Sequence, residues 1–233
     1  MKFLTLMTLA LVLALPTFAA EPVVLKDGTY SAVFSHVDGH GWKPFLTVTV
    51  TGGKITAADF DYVNPKGELK SKNAGYEAAM KKVKGLGPAE YAPQFDAKIL
   101  AKQNFPVDGI AGATQASTNV NILGAAVLEA ARAGKTAKIV LPMDDTYSAV
   151  DKSDAQGFAA TVAITFKAGK ITAVVYDEVK KDATGKVIER RSDKLAAEFA
   201  KSSAALVAAG DPKALTAPDR FKAVASAALA TRQ

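Results

Sequence analysis

The feature that most constrains this chain is an internal repeat. The segment DGTYSAV, from Asp27 to Val33, recurs as DDTYSAV from Asp144 to Val150. Gly41-Trp42 returns as Gly157-Phe158. The run GKITA from Gly53 to Ala57 returns from Gly169 to Ala173, and Asp61 and Val63 return as Asp177 and Val179. Order and spacing hold to within a residue or two, which chance similarity between strand-rich sequences does not produce. The period is far longer than that of a solenoid repeat. The chain is therefore expected to build one domain-sized unit twice.

Each copy opens with strands. Leu46, Val48 and Val50 alternate with Thr47, Thr49 and Thr51, and Val162, Ile164 and Phe166 alternate with Thr161, Ala163 and Thr165. A period of two marks a strand with one buried face. The turns after them, TGGK and KAGK, carry the glycine that tight hairpins need. Helices follow. Tyr76, Met80 and Val83 form one apolar stripe, and Gly85-Leu86-Gly87-Pro88 breaks that helix. A second run, about Glu90 to Gln103, carries Phe95, Ile99 and Leu100, and a third carries Val120, Leu123 and Val127. In the second copy Leu195, Phe199 and Leu206 make a stripe, and a last helix carries Phe221, Val224, Ala225 and Ala228. The expected fold class is α+β: two tandem similar units, each a small antiparallel sheet packed with helices.

Lys2 precedes an apolar run from Phe3 to Leu15, and Thr17 and Ala19 are small residues at signal-peptidase spacing. This reads as a secretory signal peptide cut before Ala20. The expected division is a signal peptide at 1–19, a first domain at 20–135 and a degenerate second domain at 136–233. Cysteine is absent from the sequence, so no disulfide, thiolate metal site or cysteine-linked lipid is expected. The formal charge of +6 is spread among acidic residues, which argues for a solvated surface and against a nucleic-acid partner.

Before the third helix lies VDGIAGATQASTN, from Val107 to Asn119. Gly109 and Gly112 let the backbone approach something closely. Thr114 brings a hydroxyl to a helix N-terminus, where free N–H groups favour phosphate. On these grounds alone Thr114 is either an N-cap or a phosphate-bearing residue. In the second copy the corresponding stretch, Lys213 to Asp219, has no Gly-Ala before Thr216.

The series Asp108, Gly112, Ala113, Thr114, Ser117 resembles the flavinylation motif of the FMN-binding domain family. That family includes the C subunit of the sodium-pumping NADH:quinone reductase, the G subunit of the Rnf complex and small exported flavoproteins. Ala111 stands where Ser or Thr is usual, and Ala116 where a second hydroxyl is common. The resemblance implies that Thr114 is joined to FMN by a phosphoester bond. It implies that a separate, magnesium-dependent FMN transferase makes that bond, with FAD as donor. It further implies electron transfer at the periplasmic face or cell surface, with or without membrane association. A membrane electron-transfer complex, a cytochrome or a reductase domain would be the redox partner. The protein would be a carrier more than an enzyme with its own substrate.

Alternatives stay open beside it: a flavin-free envelope binding module that reuses the fold, or non-covalent FMN binding with Thr114 only capping its helix. Asp108 is either read by the transferase or closes an Asx-type turn. Ser117 either caps the helix or bonds the FMN phosphate, and Gly112-Ala113 clears the approach. Trp42 reads as core, since Phe158 replaces it in the other copy. His36 and His40 read as solvated loop residues without a metal. Lys81, Lys82 and Lys84 read as a solvated helix face, with steering of an anionic partner as the alternative, and Tyr91 and Phe95 as packing, with lining of a flavin pocket as the alternative.

Overall fold

The computed structural model describes residues 24–233; the expected signal peptide lies outside them. Two sheets of four strands each form, with five α-helices. In the first unit β1 (Gly28–Phe34), β2 (Lys43–Thr51) and β3 (Lys54–Val63) make an antiparallel meander. The alternating side of β2 packs Leu46, Val48 and Val50 into the core, while its threonines face outward. Three helices follow: α1 (Ala74–Lys84), α2 (Pro88–Lys102) and α3 (Thr114–Ala133). Helix α2 lies on β3, and α3 crosses β1 and β2. Val120, Leu123 and Val127 are fully buried along α3. At Gly124 the ring of Phe105 comes so near that a Cβ would sit 2.0 Å from it.

The chain then returns as β4 (Ile139–Leu141), which pairs parallel with β1. This strand lies beyond residue 135, so the first unit extends past the boundary read from the sequence. Three residues are too few to show a period, and only pairing with β1 identifies them as a strand.

The second unit repeats the meander with β5 (Thr146–Val150), β6 (Phe158–Lys167) and β7 (Lys170–Lys181). The likeness extends to details. Both second-to-third hairpins carry an irregularity at the same place, Thr49/Val50 and Thr165/Phe166. Asp27 Oδ1 accepts from Gly53 N at 3.0 Å, and Asp144 Oδ1 accepts from Ala168 N at 2.7 Å. Asp61 accepts from the backbone N–H and hydroxyl of Ser71, as Asp177 does from Ser192. The α+β class and the two similar units are thus as expected.

The units then diverge. A single bridge between Val63 and Leu69 in the first becomes a fourth strand, β8 (Val187–Arg190), in the second. Helix α4 (Ser192–Ala209) packs on β7 as α2 packs on β3, and Phe199 meets Tyr176 edge-on as Phe95 meets Phe60. Helix α5 (Asp219–Ala230) takes the place of α3. Helix α1 has no counterpart: in the second unit α4 begins at Ser192 itself, the position that matches Ser71. Direct bonds join the units, with Tyr147 donating to Val37 O at 2.6 Å and Val37 N to Gln233 O at 3.0 Å.

Candidate functional site

The loop before α3 is held by α3 itself. Val107 N donates to Asn121 Oδ1 at 2.7 Å, and Asn121 Nδ2 donates back to Val107 O at 3.0 Å. Ser117 Oγ accepts from Ile110 N at 3.1 Å and donates to Ala113 O at 2.9 Å. Gly112 adopts φ +83°, and a Cβ there would lie 3.0 Å from the carbonyl of Lys84. The close approach that Gly112 permits is therefore to the end of α1, which it locks against the start of α3.

This geometry corrects three expectations. Thr114 is not the N-cap. That position falls to Ala113, which has no side-chain acceptor, and Thr114 is the first helical residue. Its exposed hydroxyl makes no hydrogen bond among the described residues. Ser117 does not cap either: its hydroxyl is committed to stapling the loop. Asp108 closes no Asx turn, since its exposed carboxylate accepts no hydrogen bond among the described residues.

Thr114 stands on a ridge between two depressions. On one side Gly109, Ile110 and Ser117 line a hollow of about 400 Å³. On the other side lies a mostly apolar cavity of about 590 Å³. Its outer wall is α1, with Tyr76, Met80, Val83 and Lys84. Its floor is Tyr62 from β3, Tyr91 from α2, and Ala113 and Ala116 from the start of α3. Of the stripe on α1, Tyr76 and Met80 pack part-buried against the core. No residue of α1 is buried, and Val83 is 74% exposed beside the cavity. Tyr91 lines the cavity as well as packing, while Phe95 is core. Trp42 is core, edge-on to Tyr76 at 5.7 Å. His40 reaches the cavity rim, whereas the ring of His36 pairs with the Ser35 hydroxyl at 2.7 Å.

Lys70 is the charged residue of the cavity floor, only 4% exposed. Its ammonium lies 4.2 Å from the ring centre of Tyr62, 4.4 Å from that of Tyr76 and 5.8 Å from that of Trp42. A cation over aromatic faces is attracted by their quadrupoles. It makes no hydrogen bond or ion pair with any described residue. Burial pulls its pKa down to about 8, against the opposing pull of Asp38 and Asp61. Asp38 is also buried. Its Oδ1 accepts from His40 N and Trp42 N at 2.9 Å each, while Oδ2 has no partner. Burial raises the Asp38 pKa and the Lys70 charge opposes that rise. Burial likewise drives the Tyr62 phenol well above its usual range, although its oxygen accepts from Asn119 Nδ2 at 3.1 Å. These phenols stay neutral at physiological pH.

The matching positions in the second unit carry different, mostly charged side chains. The position after Asp177 is Glu178, where the first unit has Tyr62, and Arg191 precedes Ser192 as Lys70 precedes Ser71. Arg191 pairs with Asp154 at 2.9 Å and with Glu178, and lies over the Phe158 ring. Arg220, from the first turn of α5, binds Asp151 at 2.7 Å and Asp154 and Glu178 at 3.0 Å each. The buried positions of α5 match those of α3 in order, so Phe221 stands where the first unit has Ala116. Phe221 and the ion-paired Arg191 and Arg220 thus stand where the first unit has Ala116, Lys70 and Gln115, three residues that line its cavity.

Sequence reasoning missed Lys70, Tyr62 and Tyr76 as cavity residues. Aligning the two copies at Asp61/Asp177 and Ser71/Ser192 would have exposed the Tyr62-for-Glu178 and Lys70-for-Arg191 exchanges.

No family model matches the chain. A crystal structure of a Clostridium perfringens protein is 37% identical, with a TM-score of 0.50, over 51% of this chain and 98% of that one. The 15 kDa lipoprotein of Treponema pallidum (strain Nichols) is 36% identical over 133 residues, which is 57% of this chain and 92% of the relative. Identity at that level over nearly all of the relative's length places the chain in one family with it: the protein belongs to the family of the Treponema pallidum 15 kDa lipoprotein.

Proposed function

We propose that this protein is an exported flavoprotein that carries one FMN on Thr114 through a phosphoester bond and serves in electron transfer at the cell envelope. The observation that carries the reading is the position of the Thr114 hydroxyl, exposed and free of hydrogen bonds at the mouth of a cavity of about 590 Å³. That volume lies within the range of cofactor sites, and an apolar lining with a few polar groups suits a planar ring. The N–H groups of Thr114, Gln115 and Ala116 make no hydrogen bond among the described residues and point from the helix start, where a phosphate is favoured. The fit therefore has two parts: a phosphate position at the helix start and a ring-sized cavity beside it.

When bound, FMN supplies one- and two-electron transfer. The protein's own residues have narrower tasks. Asn121 and Ser117 fix the loop that presents Thr114. Tyr62, Tyr76 and Tyr91 shape the cavity and, being neutral phenols, bring no charge to it. Helix α1 walls one side of the cavity. A threonine hydroxyl is a weak nucleophile, so a transferase is needed. In that reaction the Thr114 oxygen bonds to the FMN phosphorus, the pyrophosphate bond of FAD breaks, AMP leaves and the hydroxyl proton is lost. Asp108, exposed and unpaired among the described residues, suits recognition by that transferase.

The envelope assignment is supported by the signal-like start of the sequence and by a relative that is a lipoprotein. No helix of the described residues is long and apolar enough to cross a membrane. A membrane complex or a cytochrome would then supply or accept the electrons. Export with the transferase present, then denaturing electrophoresis under ultraviolet light, tests the reading. A fluorescent band is expected for the wild type and for Thr114→Ser, and none for Thr114→Val. A dark wild-type band would favour the flavin-free binding module.

A further inference from the structure

We propose that Lys70 is the potential-setting residue of this cavity, placing a positive charge against the bound ring so as to favour its reduced, anionic state. The inference rests on the flavin reading above and adds to it a residue outside the motif. Its basis is geometric. The Lys70 side chain is 4% exposed, lines the cavity floor and is held among the rings of Tyr62, Tyr76 and Trp42. The ammonium has three donors, and no described residue accepts from any of them. Its nitrogen is not fully sealed from the cavity, unlike the unpaired Asp38 Oδ2 and Arg232 Nε. A buried ammonium without an acceptor is costly unless its site supplies one. The cavity is the side from which an acceptor can come.

The second unit shows the cation at this position fully paired. Arg191, at the matching position, is met by Glu178 and Asp154, so its charge is consumed inside the protein. In the first unit the Glu178 position is Tyr62, a neutral phenol that offers a ring face and no counter-charge. The Lys70 charge is left for the cavity. Asp38 and Asp61 help to keep the amine protonated. Two electrons and one proton added to a neutral isoalloxazine leave one net negative charge. A cation near that ring tunes its electronics toward the reduced form, and the low effective dielectric of a buried site strengthens the effect.

The test uses the exported, flavinylated protein, with FMN loading checked by intact mass and dithionite as the electron source. Midpoint potentials are measured at neutral pH against reference dyes for the wild type, Lys70→Met, Lys70→Arg and Lys82→Met. Lys70→Met is expected to lose at least tenfold in preference for the reduced state, which is about 30 mV for a two-electron couple. Lys70→Arg should stay near the wild type, since the second unit accommodates arginine at this position. Lys82→Met, exposed on α1 and outside the cavity lining, should shift little. An unchanged potential in Lys70→Met overturns the proposal while leaving the flavin reading standing, and so does an equal shift in Lys82→Met. Should Lys70→Met fail to load, Lys70→Gln takes its place with the same expectation. A wild type without FMN overturns the flavin reading and this inference together.

Discussion

Burial of Lys70 predicts a particular dependence of stability on pH in the unflavinylated protein. Its pKa falls from 10.5 to about 8 on folding because the charged form is desolvated. Between these values the unfolded chain binds the proton and the folded one does not. Stability therefore rises with pH across this window, by at most about 1.4 kcal/mol per unit for one proton. The whole shift corresponds to about 3 kcal/mol, an upper bound because buried sites relax and admit water. The other groups facing the amine are Asp38 and Asp61 and the phenols of Tyr62 and Tyr76. Tyr62 and Tyr76 have folded pKa values raised by burial, so they lower stability as pH climbs past the unfolded tyrosine value near 10. The clean interval is thus about pH 8 to 9.5. Urea unfolding of the wild type and of Lys70→Met should diverge there by about 1–2 kcal/mol, with the wild type gaining and the variant flat. Parallel curves would refute the claim that Lys70 is a buried ammonium.

Other perturbations separate the parts of the site. Ala116→Phe copies the second unit's Phe221 and should fill the cavity floor. Any overpacking cost should be about 1–3 kcal/mol, and visible absorbance should show the flavin ring more exposed to solvent or absent. Ser117→Ala removes the staple between Ile110 N and Ala113 O. It should cost about 1–2 kcal/mol in denaturant unfolding and leave attachment to Thr114 intact by mass. Gly124→Ala places a methyl against the Phe105 ring, where a Cβ would lie 2.0 Å away. A thermal melt should show a loss of at least about 1–3 kcal/mol. Arg220→Met leaves Asp151, Asp154 and Glu178 short of a shared cation. It should weaken the second unit by up to about 3 kcal/mol, less than for a fully buried pair because the arginine is partly solvated.

The repeat was legible because it is written in residues that hold the meander locally. Asp27 and Asp144 bond a hairpin amide, and alternating apolar residues mark the buried faces of β2 and β6. The loop of Thr114 was legible as a motif, but its geometry was not. A threonine after Gly-Ala reads as an N-cap, and only the backbone bond from Ser117 N to Ala113 O shows that the cap falls on Ala113, one residue before that hydroxyl. The cavity was the least legible part. Lys70 sits in a charged stretch, Glu68 to Lys72, that carries no motif and no hydrophobic period. Its burial comes from Trp42, Tyr62 and Tyr76, which the fold gathers from three separate segments. Periodicity joined Val83 to Tyr76 and Met80 in one stripe, but only those two pack against the core, and Val83 is 74% exposed beside the cavity.

The central claim is that Thr114 bears the FMN. The direct measurement is the mass of the proteolytic peptide spanning Thr114, taken from protein exported in the presence of the transferase, for the wild type and for Thr114→Val. The valine keeps the shape and removes the oxygen, with only a small cost to the fold because the hydroxyl caps nothing. The account predicts one FMN on the wild-type peptide, joined at Thr114, and none anywhere on the variant. One FMN on the Thr114→Val protein, or an unmodified wild-type peptide, would contradict it.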